Sequence, residues 1–419
     1  MKQTRVLLSL MFCTWSLFGW DNLHFYRASF FFGEPRFERS GLTTFNARVG
    51  AGSTDTGRDG CSRKVPLLDI FGPNVGFKLG ENVPGKDLTN PQDLALQMVE
   101  LEPARNGFGQ FSFDGRFKIV ECDLQFFQNF NNGFFLEVYL PIRKLQISDI
   151  SCCDTSSDCA PCPNKNSPIW QSFLNQFNGI LDRYCLCFQG VDRTGVGDTS
   201  VILGWTTNHE ETEHLDFIDC TLQAGVLFPT GAKSNPDIIF DLPLGYNGHY
   251  GFPLNISLAF GAYEWLTFGG HAMALPFKKN TREVRMKTST PQNGFVKLAK
   301  GCAEVDRGTL WQIGLYTKAD HFVRCLSMLL GYSFSTERET RLCPENCAIF
   351  DPGVVNSDEM LRGWKMHTIH VIGELDFLKE QSHFGPRIGV FGNFIVGGKR
   401  IFNTNIGGAM VGLDLVWNY

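Results

Sequence analysis

Apolar and polar residues alternate over about twelve segments of this chain, each roughly 10–15 residues long, the period of a strand lying between two different environments. The final eleven residues, 409–419, show the pattern up to the end of the last segment. Ala409, Val411, Leu413, Leu415, Trp417 and Tyr419 share one face, and Met410, Gly412, Asp414, Val416 and Asn418 the other. The segments in order are 42–51, 110–123, 133–147, 198–207, 217–229, 250–263, 265–277, 309–318, 322–336, 364–378, 386–397 and 403–419. Strands of soluble sheets average about 5–6 residues, whereas a tilted strand needs about 9–11 to cross a bilayer. No apolar run is long enough for a spanning helix, so any membrane crossing is made by strands.

The links between these segments sort by length. Long polar stretches follow the first, third, fifth, seventh and ninth, and shorter links follow the even-numbered ones; the short eleventh link breaks the pattern. A sandwich has no reason to sort its loops by side, while a membrane barrel has long loops outside and tight turns inside. The expected fold is therefore all-β: an antiparallel transmembrane β-barrel of about 12 strands, between roughly 10 and 14, with long extracellular loops and a short helix in the second long loop.

In this register Arg48, Arg116, Lys118, Glu137, Asp219, Glu374, Asp376 and Asp414 line the pore, with Phe111, Phe113, Phe117 and Ile119 facing lipid. An Arg or Lys at mid-bilayer on the lipid face would cost about 2–4 kcal/mol. Arg324 falls on the wrong face. Trp205, Tyr263, Trp265, Trp417 and Tyr419 would form an aromatic girdle at the turn side, and Tyr250, Trp311 and Trp364 one at the loop side.

Residues 1–19 read as a secretory signal, with Lys2 and Arg5 ahead of an apolar core over 6–18 that is too short to span a bilayer. Residues 20–41 are then a periplasmic lead-in or a short plug, and 42–419 a single barrel domain. The net charge of −5 and the absence of a basic block exclude a nucleic-acid footprint.

The second long loop holds Cys152, Cys153, Cys159, Cys162, Cys185 and Cys187, and a later loop Cys343 and Cys347. In a secreted chain such clusters read as disulfides. A zinc site is the weaker reading, because the CxxC at Cys159–Cys162 has only a CC and a CxC as partners. No metal or cofactor is expected. A helix is predicted over 168–182, with Ser167 as N-cap, Pro168 in the first turn, and an apolar stripe including Trp170, Phe173 and Phe177. That stripe packs on the barrel mouth and neighbouring loops, or folds into the pore as a constriction.

Little points to catalysis. In His209-Glu210-Glu211-Thr212-Glu213-His214 the second histidine comes one residue too late to share a helix face with the first. No GxSxG is present, and His271, His367 and His370 stand in no nucleophile motif.

A chain ending on an amphipathic strand with a terminal aromatic resembles the bacterial outer-membrane barrels, in which that strand carries the signal for the insertion machinery. Gly195-Val196-Gly197-Asp198 opening a strand, and Leu222–Gly231 after it, resemble the outer-membrane transporters of hydrophobic and aromatic compounds, of the phenol-pathway and long-chain fatty-acid type. The resemblance covers about residues 195–275 and the last strand. It implies an outer-membrane location, lipid and a small-molecule solute as partners, and passive uptake as the function; because one subunit can close the barrel alone, a monomer is the default. The alternative is a structural or adhesive surface barrel presenting its disulfide-stapled loops.

Overall fold

The computed structural model describes residues 23–31, 41–101, 109–156, 167–210, 215–263, 265–323, 325–377 and 383–417. The leader over 1–19, Cys159, Cys162, residues 211–214, Arg324 and Tyr419 lie outside the described residues.

Twelve long strands form the wall: β1 (Leu42–Thr54), β2 (Gln110–Asn129), β3 (Phe134–Asp154), β4 (Thr199–Glu210), β5 (Phe217–Phe228), β6 (Leu254–Ala262), β7 (Leu266–Leu275), β8 (Leu310–Val323), β9 (Leu326–Glu337), β10 (Lys365–Asp376), β11 (Phe384–Lys399) and β12 (Ile406–Val416). Each pairs antiparallel with the next, and β12 returns to β1 from Leu42↔Val416 to Ala51↔Gly407. Closure leaves no strand edge unpaired, as a barrel in lipid requires. Links at one end are short, and those at the other are long except 400–405.

Side chains alternate across this wall in the inverse of a soluble protein's pattern. On β6, Leu254, Ile256, Leu258 and Phe260 face outward while Asn255, Ser257 and Ala259 are buried inside. Leu203, Leu315, Leu330, Val390 and Val411 extend the same apolar outer belt. Lipid is the solvent for that belt, so Leu258→Arg should destabilise the barrel by about 2–4 kcal/mol, whereas the same change at the extracellular Lys118 should be near neutral. Reversible unfolding from lipid vesicles measures the difference.

Trp205, Tyr263, Trp265 and Trp417 are exposed at the turn ends, and Tyr250 and Trp311 at the loop ends. Trp364 departs from the expected girdle: it is buried, and its indole Nε1 donates to Glu337 at 2.9 Å.

The expected register of β2 is corrected. Phe111, Phe113, Phe117 and Ile119 point inward and are buried, and Arg116 and Lys118 are exposed on the outer face rather than lining a pore. β2 and β3 (20 and 21 residues) run beyond the belt. Out there water lies outside the wall and packed loops lie inside, so polarity swaps sides. Lower on the same strand Glu121, Asp123 and Gln125 face in, and Val120 and Leu124 face the belt.

The loops build an apolar cap on that extension. Helix α1 (Pro91–Leu101) buries Ala95, Leu96 and Val99, and α2 (Pro168–Arg183) buries Trp170, Phe173, Phe177, Ile180 and Leu181. Trp170 stacks on Phe173 with ring centroids 5.1 Å apart, and Phe177 meets Phe111 at 5.1 Å. Ser167 occupies the N-cap position of α2, but its side chain makes no capping bond.

The expected disulfides are absent among the described residues, where every cysteine is a free thiol. Strand geometry gives the reason. Cys152 and Cys153 are consecutive on β3 and so project to opposite faces, opposite Phe113 and Ser112. Cys343 sits in an extracellular strand (Arg341–Pro344) opposite Glu304.

Candidate functional site

The barrel interior is filled by the chain's own N-terminal segment. Residues 23–31 lie within the wall and are almost wholly buried, joined to 400–405 by Ala28 N–H donating to the Thr404 carbonyl at 2.8 Å and Phe402 N–H to the Phe25 carbonyl at 2.9 Å. Arg27 reaches Glu121 on β2 at 3.2 Å, and Arg143 on β3 reaches the same carboxylate oxygen at 3.1 Å, with all three side chains excluded from water. Ser29 Oγ lies 3.1 Å from Ser333 Oγ and donates to Thr368 at 3.2 Å, which ties the segment to β9 and β10. The Arg48 guanidinium covers the Phe30 ring at 3.4 Å. The Phe31 ring meets His271, Tyr316 and His370 at 5.3, 5.4 and 5.0 Å. Phe31 fits because Gly331 has no side chain: a Cβ there would stand 2.8 Å from the ring.

A buried polar network occupies the rest of the lumen, as expected where charges leave water. Arg48 pairs with Asp123 at 2.7 Å. Arg387 bridges Glu374 at 3.3 Å and Asp414 at 3.0 Å, and Thr44 donates to Asp414 at 2.7 Å. Gln125 and Gln223 both donate to Glu137, at 2.7 and 3.4 Å. His370 lies between Ser333 and Asn393, 2.8 Å from each.

Thus Arg48, Glu137, Glu374, Asp376 and Asp414 point inward, and Asp219 shares the inner face of β5 at intermediate burial. The ion pairs that Arg48, Glu374 and Asp414 make with Asp123 and Arg387 are closed to water rather than arranged around an open pore. Trp170, Phe173 and Phe177 are core of the cap, and the Trp170 indole donates to Asp154 at 2.9 Å.

Sequence reasoning missed Glu121, Asp123, Arg143 and Arg387. The signal for the first two was available in the alternation of Val120, Leu124 and Phe126 with Glu121, Asp123 and Gln125, which gives the register opposite to the one taken from Phe111 and Phe113.

Above the segment the loops enclose a cavity of about 330 Å³. Its lining includes His24, Phe25 and Tyr26 of the N-terminal segment, Phe71, Phe295 and Trp364 from loops, and several arginines. Burial holds the His24 imidazole well below its usual range, reinforced by Arg143, Arg27 and Arg307, so it is neutral at pH 7. Arg307 pairs with Glu337 at 2.8 Å and lies over the Tyr246 and Phe277 rings at 4.8 and 4.9 Å.

The Gly195-to-Asp198 motif has a structural role at this rim. The buried Asp198 carboxylate accepts the Gly231 N–H at 2.8 Å and the Tyr246 N–H at 2.5 Å, pinning loop 229–253 to the head of β4. A Cβ at Gly245 would lie 2.2 Å from that carboxylate. Burial raises the pKa of Asp198 against the pull of the two N–H donors.

No family model and no curated protein matches this chain. Among solved structures it is similar to an outer-membrane channel from Pseudomonas putida F1, at 12% identity and TM-score 0.45, over 90% of this chain and 94% of that one. It is also similar to the deltaS2S3 mutant of the TodX monoaromatic hydrocarbon channel (10% identity, TM-score 0.33, 90% and 91% of the two chains). The translocator domain of the autotransporter NalP from Neisseria meningitidis matches at 7% identity and TM-score 0.33, over 90% and 89%. Likenesses this low carry no argument about function; the strand pairing and the apolar belt establish by themselves that the chain is a closed, antiparallel transmembrane β-barrel.

Proposed function

We propose that this chain is an outer-membrane channel for uptake of small hydrophobic or aromatic molecules, held closed by residues 23–31. One observation carries the reading: the floor of the loop cavity is the plug itself, His24 to Tyr26. A solute entering from outside touches the segment that blocks its path. The aromatic rings around the cavity suit an apolar solute. The plug is one short stretch without regular secondary structure, held by a few polar contacts and its aromatic side chains, so releasing it leaves the wall's ladder intact.

In this reading residues 1–19 export the chain, the last strand engages the insertion machinery, and the monomer closes alone. Membrane lipid is the partner of the outer belt. A structural or adhesive surface barrel remains the second reading, favoured by a lumen whose ion pairs exclude water.

The test is uptake of a radiolabelled monoaromatic hydrocarbon by Gram-negative cells with and without the protein. Transport predicts several-fold faster uptake. Equal rates, with the folded barrel demonstrated in the outer membrane, would favour the surface role.

A further inference from the structure

Among the described residues, most cations around the loop cavity are paired with carboxylates; Arg282 and the exposed Arg338 are not. Arg307 holds Glu337 at 2.8 Å, Lys297 holds Asp358 at 3.3 Å, Arg285 holds Asp237 at 2.8 Å, and Arg400 is bound by Glu359. Arg282 lines the same cavity from the extracellular strand Asn280–Arg285. Its Nε is buried with no hydrogen-bond partner, and among the described residues no carboxylate pairs with it. Burial, reinforced by the nearby Arg307, lowers its pKa to about 10, which leaves it charged at neutral pH.

Arg282 is half-buried, and a guanidinium Nε–H shut away from water without an acceptor is costly; the cost is relieved when a ligand supplies an anion. The planar fork of arginine matches a carboxylate in two-point geometry. Around it Phe25, Phe71, Phe295 and Trp364 offer apolar and aromatic surface. A volume of about 330 Å³ lies at the lower end of small-molecule sites, ample for one substituted ring.

We propose that this cavity binds an aromatic monocarboxylate, its carboxylate on Arg282 and its ring among the cavity's aromatic side chains. This deepens the channel reading and rests on it for the biological direction of traffic, but the site itself is tested by binding alone. His24, Phe25 and Tyr26 place such a ligand in contact with the plug.

The experiment is titration calorimetry on the full chain folded in detergent, with benzoate, benzamide and inorganic phosphate as probes. Benzoate should bind, and more tightly than either of the others, because benzamide lacks the charge and phosphate lacks the ring. Arg282→Gln should weaken benzoate by roughly tenfold to a hundredfold, the usual worth of a charge-assisted hydrogen-bonded contact, and leave benzamide unchanged. Arg282→Lys should restore part of the loss. No benzoate binding, equal binding to wild type and Arg282→Gln, or phosphate binding as tight as benzoate would each overturn the proposal. A binding site that survives while cellular uptake fails would refute the channel reading and leave this one standing.

Discussion

Deleting residues 23–31 should convert a closed barrel into a conducting one. The segment fills the lumen with Tyr26, Arg27, Phe30 and Phe31, all buried, while the wall's hydrogen-bonded ladder runs through β1 to β12 without it. A barrel of 12 strands lies between the eight-stranded kind, whose interior side chains just fill it, and the 16–18-stranded porins with an aqueous channel, so removing the plug should raise unitary current by roughly tenfold or more. The wall facing the vacated space is polar, with Ser333, Thr368, His370 and Glu121 now meeting water, which favours wetting over collapse. Planar-bilayer recording reads the effect directly. A deletion variant that folds, inserts and still carries no current would mean that the polar network or the loop cap closes the lumen independently.

Glu121→Ala should cause a large loss of stability. Its carboxylate accepts from both Arg27 and Arg143, and none of the three side chains reaches water. Removing it takes the shared carboxylate from two guanidiniums, while Arg27 keeps its bond to the Ala28 carbonyl and Arg143 its bond to the Leu244 carbonyl. Stripping the partner from a buried ion pair costs about 3–5 kcal/mol. Arg27→Met distinguishes the plug from the wall: Glu121 retains Arg143, so the barrel should be only mildly affected, while the plug loses its ion pair to β2. The heat-modifiable gel shift of the folded barrel should move strongly for Glu121→Ala and little for Arg27→Met, whereas open probability should rise in both.

The wall was legible in the sequence because lipid imposes one rule along its whole length. Residues 254–260 alternate Leu, Asn, Ile, Ser, Leu, Ala and Phe, and the structure alternates them outward and inward without exception. β2 misled because it crosses two environments: Phe111 and Phe113 are apolar for the cap, Leu124 and Phe126 for the membrane, and the two pairs have opposite parity. The plug had no such signature. Residues 23–31 (LHFYRASFF) carry neither a helical nor a strand period, and their burial depends on Glu121, Ser333 and Thr368, far away in the chain. The cysteines were over-read because loop proximity in sequence does not aim two thiols at each other; Cys152 and Cys153 lie on opposite faces of one strand. Trp364 belonged to no girdle because Glu337 holds its indole inward.

The most direct test of a plugged channel is to lock the plug. Ser29 and Ser333 bring their hydroxyls to 3.1 Å, so Ser29→Cys with Ser333→Cys places two thiols within reach of a disulfide from the segment to β9. With the crosslink verified by mass spectrometry, aromatic solute uptake should fall to the level of cells lacking the protein, and return on reduction. Uptake that continues unchanged through a fully crosslinked barrel would contradict the account, because the solute would then be passing without moving the segment that fills the lumen.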